Sequence, residues 1–230
     1  MFTCLKSWDE LPEFMRTDEV RPYYDSLSAK KGSLVFKRIF DIFLSLFLLV
    51  LLFPVFLILF ILIKRDSQGP VFFRQERITQ YGKSFRIHKF RTMVVNAEAL
   101  GSQVTVDGDT RVTAIGHMLR KYRLDELPQL IDVLKGDMSF VGTRPEVKKY
   151  VDMYTPEMCA TLLLPAGITS DASIHFKDEA EIIRGVSDVD QVYTSKILPK
   201  KMSYNLQSIH EFSLFSELKI MFDTVLAVLH

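Results

Sequence analysis

The chain has little of the material that builds metal centres or disulfide scaffolds. Among 230 residues there are two cysteines. They stand at positions 4 and 159, far apart and without metal-ligand spacing. That argues against a disulfide framework or a zinc site and fits a reducing cytoplasmic setting. The five histidines are scattered, with no His-x-x-x-His pair, so a histidine-built metal site is not expected either. Charge of one sign is also missing. A net charge of +1 leaves no bulk basicity to attract nucleic acid, so any basic function must be local. No secretory signal is expected, because the first 33 residues are polar and charged and the apolar run begins too late to serve as one.

What the chain does have is apolar: 48% hydrophobic residues, among them 18 phenylalanines. From Ile42 to Ile63 the only polar side chain is Ser45. A helix of that length rises ~1.5 Å per residue and matches a ~30 Å hydrocarbon core. Two features favour a hairpin over a single span. Basic residues flank both ends, Lys30, Lys31, Lys37 and Arg38 before and Lys64, Arg65, Arg74 and Arg77 after, and the preference of Lys and Arg for the cytoplasmic side is met at both ends only if the chain returns to the face it entered. Pro54, near the middle, removes a backbone hydrogen bond and bends the helix. A proline-kinked single span remains the alternative. Lys37 and Arg38 head the segment, either as anchors to anionic headgroups or as ligands for the phosphate of a membrane-dissolved substrate. Residues 1–33 read as an extension lying along the membrane or mobile, with Trp8, Phe14, Tyr23 and Tyr24 as interfacial anchors or core contacts.

After Gly69-Pro70, two apolar–basic alternations, Val71–Arg77 and Phe85–Met93, flank Tyr81-Gly82 and predict a β-hairpin. Lys89 and Arg91 project from one strand face, opposite His88 and Phe90. Two cations so placed bind a diphosphate or form a solvated face. Asn96–Gly108 reads as a short helix and polar loop. A helix is expected over Thr113–Tyr122, with Arg120 near its end, where a cation suits the helix dipole. Tyr150–Leu164 reads as a helix broken at Pro156. Leu206–His230 reads as an amphipathic helix broken near Ser213, seated on the core or on the bilayer.

The organising stretch is Arg120–Glu146. Its acid pair, Asp125–Glu126, precedes an apolar helical period at Leu127, Leu130, Ile131 and Leu134. Pro128 suits a first turn and Gly136 a C-terminal cap. Acids in that position commonly do no more than stabilise the helix. Gln129 lies one turn after Asp125, and the turn at Gly142–Pro145 can bring Arg144 back towards the acids.

In order, Leu-Asp-Glu-Leu-Pro-Gln-Leu, Lys-Gly-Asp-Met-Ser and Gly-Thr-Arg-Pro, with Lys-Phe-Arg-Thr-Met and Asp-x-Arg-x-Thr upstream, resemble the monotopic polyprenyl-phosphate phosphoglycosyl transferases. The resemblance runs from about Phe36 onward. Thr143 stands where the family usually has proline, Phe53 where it has serine before Pro54, and Ile78 where it has glycine. The family's Ala-Gln-Val-Asn-Gly-Arg run is absent after Thr169, with Lys177 the substitute for its arginine. That region is the expected seat of sugar or nucleotide selectivity.

The resemblance implies a helix-rich α+β fold. It is a single monotopic membrane-associated domain with a re-entrant helix-break-helix over residues 34–68 and a cytoplasmic catalytic region with interfacial helices over 69–230. It also implies a bacterial inner-membrane enzyme working at the cytoplasmic face. The reaction moves a sugar-1-phosphate from a UDP-sugar to a polyprenyl phosphate, with release of UMP through a phosphosugar-aspartyl intermediate. By motif Asp125 is the nucleophile and Glu126 a ligand for Mg²⁺, a hard ion suited to carboxylate and phosphate oxygens. Arg144 and Arg120 are the expected phosphate clamps, with Lys89, Arg91, Gln129, Lys37 and Arg38 as further phosphate ligands. Asp137 is read as a turn residue. A non-catalytic anchored protein that binds nucleotide-sugars or anionic lipids is the rival reading, and a homo-oligomer remains open.

Overall fold

A computed structural model describes residues 5–97, 109–177 and 188–229. Helix α1 (Arg21–Ser28) leads into α2 (Lys31–Leu51) and α3 (Phe53–Asp66), which meet at Leu52 with a bend of 61°. Pro54 lies in the first turn of α3, where its missing N–H costs nothing to the new helix but ends the old one. No single helix among the described residues is long and apolar enough to cross a membrane, whereas the bent pair together is. Its outer face, including Phe43, Phe47, Val50, Phe53 and Ile58, is exposed.

The hairpin forms as the alternation predicts. Strands β1 (Phe72–Ile78) and β2 (Ser84–Phe90) pair antiparallel, with Phe73 opposite Lys89 and Arg77 opposite Phe85. Helix α4 (Ala114–Lys121) is capped by Thr113, whose hydroxyl accepts from the Gly116 N–H at 3.0 Å. A 3₁₀ turn (Leu124–Glu126) and α5 (Gln129–Lys135) follow. Gly136 ends α5 at φ 93°, a left-handed conformation that glycine adopts at no steric cost.

The sequence reading did not foresee the second sheet. Strands β3 (Met138–Val141) and β4 (Ala166–Thr169) pair in parallel. Each is four residues long, and β3 directly follows a helix cap, so no alternation announces them. Gly142 and Gly167 let the two backbones touch, since a Cβ on Gly167 would lie 2.2 Å from the Gly142 nitrogen. The Tyr150–Leu164 helix is also replaced. A short helix (Lys148–Val151) and a 3₁₀ segment (Glu157–Leu163) stand on either side of Pro156. Near the C-terminus, helices Leu198–His210 and Leu214–Leu229 are broken around Ser213 as expected. The expected elements at 98–108 and the residues after Lys177, to 187, lie outside the described residues.

Two packing facts position the site. Residues 5–30 join the core: Leu5, Leu11, Met15, Val20, Tyr24 and Leu27 are buried in one cluster with Cys159, Ala160, Leu162, Leu163, Leu164 and Phe212. Trp8 packs edge-on to Tyr24 at 5.1 Å and Tyr23 packs on the same cluster, so these three aromatics are core contacts, whereas Phe14 is exposed. Burying that apolar surface holds the strap in place. The second fact is the clamp between α5 and β2. Asp132, 1% exposed, accepts the His88 backbone N–H at 2.8 Å and faces its Nδ1 at 2.5 Å. Replacing Asp132 with Ala leaves a buried donor without a partner. Thermal unfolding should show a loss of roughly 3 kcal/mol, and no loss would mean that the clamp is not structural.

Candidate active site

The acid pair sits on the one-turn connection between α4 and α5. Arg123 opens that turn in the left-handed region, at φ 54°, and its carbonyl accepts the Glu126 N–H at 3.3 Å. Leu124 and Leu127 pack down against the cluster of Phe90, Leu119 and Ile63. With those two leucines turned inward, the acids are carried on the other side of the turn, towards the hairpin.

There the two neighbours part company. Glu126 is held from two sides. Lys89, from β2, donates to Oε1 at 3.0 Å. Arg144, from the turn after β3, donates to the same oxygen and, through Nη1, to Oε2 at 3.3 Å. Burial by itself would raise the Glu126 pKa, but the Arg144 and Lys89 charges and their hydrogen bonds overcome it and hold the carboxyl well below the usual range. Glu126 in return pushes Arg144 upward. Asp125 has the opposite character. Burial and the Glu126 charge raise its pKa, and Lys89, Arg120 and Arg144 only partly compensate. Glu126 is therefore a saturated ion-pair partner. Asp125 is an underpaired, desolvated carboxylate among cations, which is the condition of an available nucleophile.

Arg120 completes the ring. Its Nε donates to the Thr92 hydroxyl at 2.8 Å, and Asp125 is the first of its counter-charges. Asp125, Glu126, Lys89, Arg120 and Arg144 are thus brought together as the motifs implied. Gln129 is beside them at the start of α5, 1% exposed, with its Nε2 lacking a partner among the described residues.

Three expected phosphate ligands lie elsewhere, each occupied by a structural bond. Lys37 is buried; it donates to the Val141 carbonyl at 2.9 Å and forms an ion pair with Glu217. Arg38 donates to the carbonyls of Val133 and, at 2.9 Å, Leu134, which caps the end of α5. Arg91 donates to the carbonyls of Gln68 at 2.6 Å and Ser67 at 2.7 Å, where α3 ends. Free carbonyls at helix ends attract cations, and that need is what claims Arg38 and Arg91. Asp137 pairs with Lys83 at 3.3 Å, and its carbonyl accepts from Thr79 at 2.7 Å, consistent with a turn residue.

Sequence reasoning counted Arg77 only as a membrane flank. It donates to the Pro145 carbonyl at 3.2 Å and interacts with Glu126, Arg144 and Glu146. Strand alternation carried the signal, because Phe73, Gln75 and Arg77 share the face of Lys89. Among the described residues no group of three or more His, Cys, Asp or Glu gathers as a ready metal cage. The nearest acids that could take a divalent cation are Glu126 and Asp125, Glu126 only once substrate phosphates have drawn Lys89 and Arg144 off it. A hard ion with most of its ligands from substrate phosphates and water needs no more than that.

A family model described as bacterial sugar transferase matches residues 32–230. The chain is 36% identical over 197 residues to a UDP-N-acetylgalactosamine-undecaprenyl-phosphate N-acetylgalactosaminephosphotransferase of Aeromonas hydrophila, covering 84% of this chain and 43% of that protein. It is 36% identical over 217 residues to a UDP-glucose:undecaprenyl-phosphate glucose-1-phosphate transferase of Escherichia coli, covering 93% and 44%. It is 32% identical over 207 residues to the exopolysaccharide production protein ExoY of Rhizobium meliloti, covering 84% of each. The chain spans less than half the length of the first two relatives.

Proposed function

This chain belongs to the bacterial sugar transferase family, and we propose that it moves a sugar-1-phosphate from a UDP-sugar to undecaprenyl phosphate and releases UMP. The observation that carries this reading is the inequivalence of the two acids: Glu126 is bonded by both Lys89 and Arg144, whereas Asp125 beside it makes no such bond among the described residues.

In the first step an Asp125 carboxylate oxygen attacks the phosphorus that bears the sugar. The bond from that phosphorus to the bridging oxygen breaks, its electron pair leaves with UMP, and a phosphosugar-aspartyl anhydride remains. In the second, a phosphate oxygen of the lipid attacks the same phosphorus and Asp125 leaves as carboxylate. Two polyanions never need to occupy the site together, which is what a covalent relay offers here. Arg144, Arg120 and Lys89 face the charge that spreads over the phosphoryl oxygens. Mg²⁺ belongs to this proposal as an ion that would neutralise the diphosphate, with Glu126 as its protein ligand once the substrate phosphates have drawn Lys89 and Arg144 away from that carboxylate. If so, Mg²⁺ raises the thermal midpoint of the wild-type chain in the presence of UMP, and Glu126→Gln mutes that rise.

The lipid acceptor calls for a site at a bilayer surface. The bent α2–α3 pair is proposed as a re-entrant hairpin on the cytoplasmic face of the bacterial inner membrane. The bend at Pro54, the basic flanks at both ends and the exposed apolar outer face support it. The exposed Phe215, Leu218 and Phe222 of the last helix would lie at the same interface.

The test is UMP release from a panel of UDP-sugars with short-chain polyprenyl phosphate in detergent micelles. Release dependent on the lipid supports transfer; binding of UDP-sugars without release would assign the chain to the non-catalytic class. Cysteines placed at positions 31 and 67 report the hairpin. Labelling of both from the cytoplasmic side is expected, and labelling from opposite sides means a single kinked span.

A further inference from the structure

Three side chains in the stretch Lys89–Thr92, at and just beyond the end of β2, reach distant parts of the chain. Lys89 donates to Glu126 at 3.0 Å. Arg91 donates to the carbonyls at the end of α3. Thr92, 6% exposed, accepts from the Arg120 Nε at 2.8 Å. The first bond belongs to the acid pair and the second to the fold. The third ties the strand to an arginine of the site.

Thr92 is itself held by α4. Its carbonyl accepts the N–H of the capping Thr113 at 2.9 Å. Gly116 packs so closely on that carbonyl that a Cβ there would lie 2.1 Å from the oxygen. Arg120 follows Gly116 by four residues and therefore shares its face of the helix. One face of α4 thus presses its glycine onto the Thr92 backbone and brings its arginine to the Thr92 hydroxyl. The acid turn hangs from the same arginine. The Arg120 carbonyl accepts the Arg123 N–H at 3.1 Å, and the Arg123 carbonyl in turn accepts the Glu126 N–H.

Among the described residues the bond to Thr92 is the one hydrogen bond that the Arg120 guanidinium makes. It ties Nε and leaves both terminal nitrogens for an oxyanion, which a guanidinium clasps through two parallel bonds. An arginine fixed only at its backbone samples many rotamers, and each must be given up when it binds. We infer that Thr92 is a positioning residue: its hydroxyl sets the plane of the Arg120 guanidinium so that the terminal nitrogens meet the phosphoryl group transferred at Asp125. The inference rests on the transferase reading. Orientation of this kind acts on the transition state more than on ground-state binding.

Thr92→Val removes the hydroxyl at nearly constant shape. It is expected to lower kcat for UMP release by about 10-fold, with the KM for the UDP-sugar changed by less than about 3-fold. Thr92→Ser keeps the hydroxyl and should hold kcat within about 3-fold of the wild type. Both thermal midpoints should stay close to that of the wild type, because the half-buried Arg120 can turn its Nε to water. In an Arg120→Ala background, Thr92→Val should add nothing to the loss of kcat, since residues that act through one another are not additive. A wild-type kcat in Thr92→Val, a Thr92→Ser as slow as Thr92→Val, or a Thr92→Val effect that multiplies in full on Arg120→Ala overturns the inference and leaves the transferase reading intact. A wild-type chain that releases no UMP from any UDP-sugar overturns both.

Discussion

Asp125→Asn is expected to abolish UMP release, by at least about 10³-fold, while the folded protein becomes more stable. The two halves of that result have one cause. Burial and the neighbouring Glu126 charge raise the Asp125 pKa, which means that folding works against its ionised form. A group raised in the folded state destabilises the protein increasingly as pH climbs from its unfolded value to its folded one, and above that the full penalty persists. The amide carries no charge and escapes it. The thermal midpoint at pH 7 should therefore rise. The same shift sets the acid limb of the rate profile. The nucleophile must be ionised, so kcat/KM should fall as pH drops through a pKa above the usual aspartate value. A covalent adduct with a UDP-sugar in the Asn variant would remove Asp125 from the nucleophilic role. A destabilised Asn variant would contradict the account of why the carboxylate is available.

Glu126→Gln should do the reverse to stability. Lys89 and Arg144 hold the folded carboxyl well below its usual pKa, so its contribution is present above the unfolded pKa and is lost only as pH falls through the folded one. Removing one partner from a buried ion cluster leaves the others uncompensated and costs roughly 3 kcal/mol. That is a fall on the order of 10 °C for a protein of this size, measured in detergent at neutral pH, and the difference from wild type should shrink in strong acid, below about pH 4. Two adjacent carboxylates would then give thermal shifts of opposite sign. Equal shifts for both variants would mean that the site does not divide its acids in this way.

That division was invisible in the sequence, where Asp125 and Glu126 are simply two acids before a helix. Their neighbourhood was legible. The helical spacing of Leu127, Leu130 and Leu134, the cap at Gly136 and the alternation across Phe72–Phe90 all foretold elements that form, because local backbone preference and apolar period act over a few residues. The core packing of the strap at 5–30 stayed open in the sequence because polarity along the chain hides six well-spaced apolar side chains. The parallel pair β3–β4 was missed because its strands are too short to carry a period and meet only through the contact of Gly142 and Gly167.

By itself the sequence determined the apolar bent segment, the β-hairpin, the acid pair on its turn, and the motifs that place the chain in its family. Only the tertiary structure decided which cations gather at the acid pair. Lys37, Arg38 and Arg91 looked as suitable as Lys89 and Arg144, and each was claimed instead by a carbonyl or carboxylate that folding brought within reach, for Lys37 from Glu217, 180 positions away. A charged side chain acts on what lies within a few ångströms of it once water is excluded, and that distance is set by the packing of remote segments, which no local pattern of residues records.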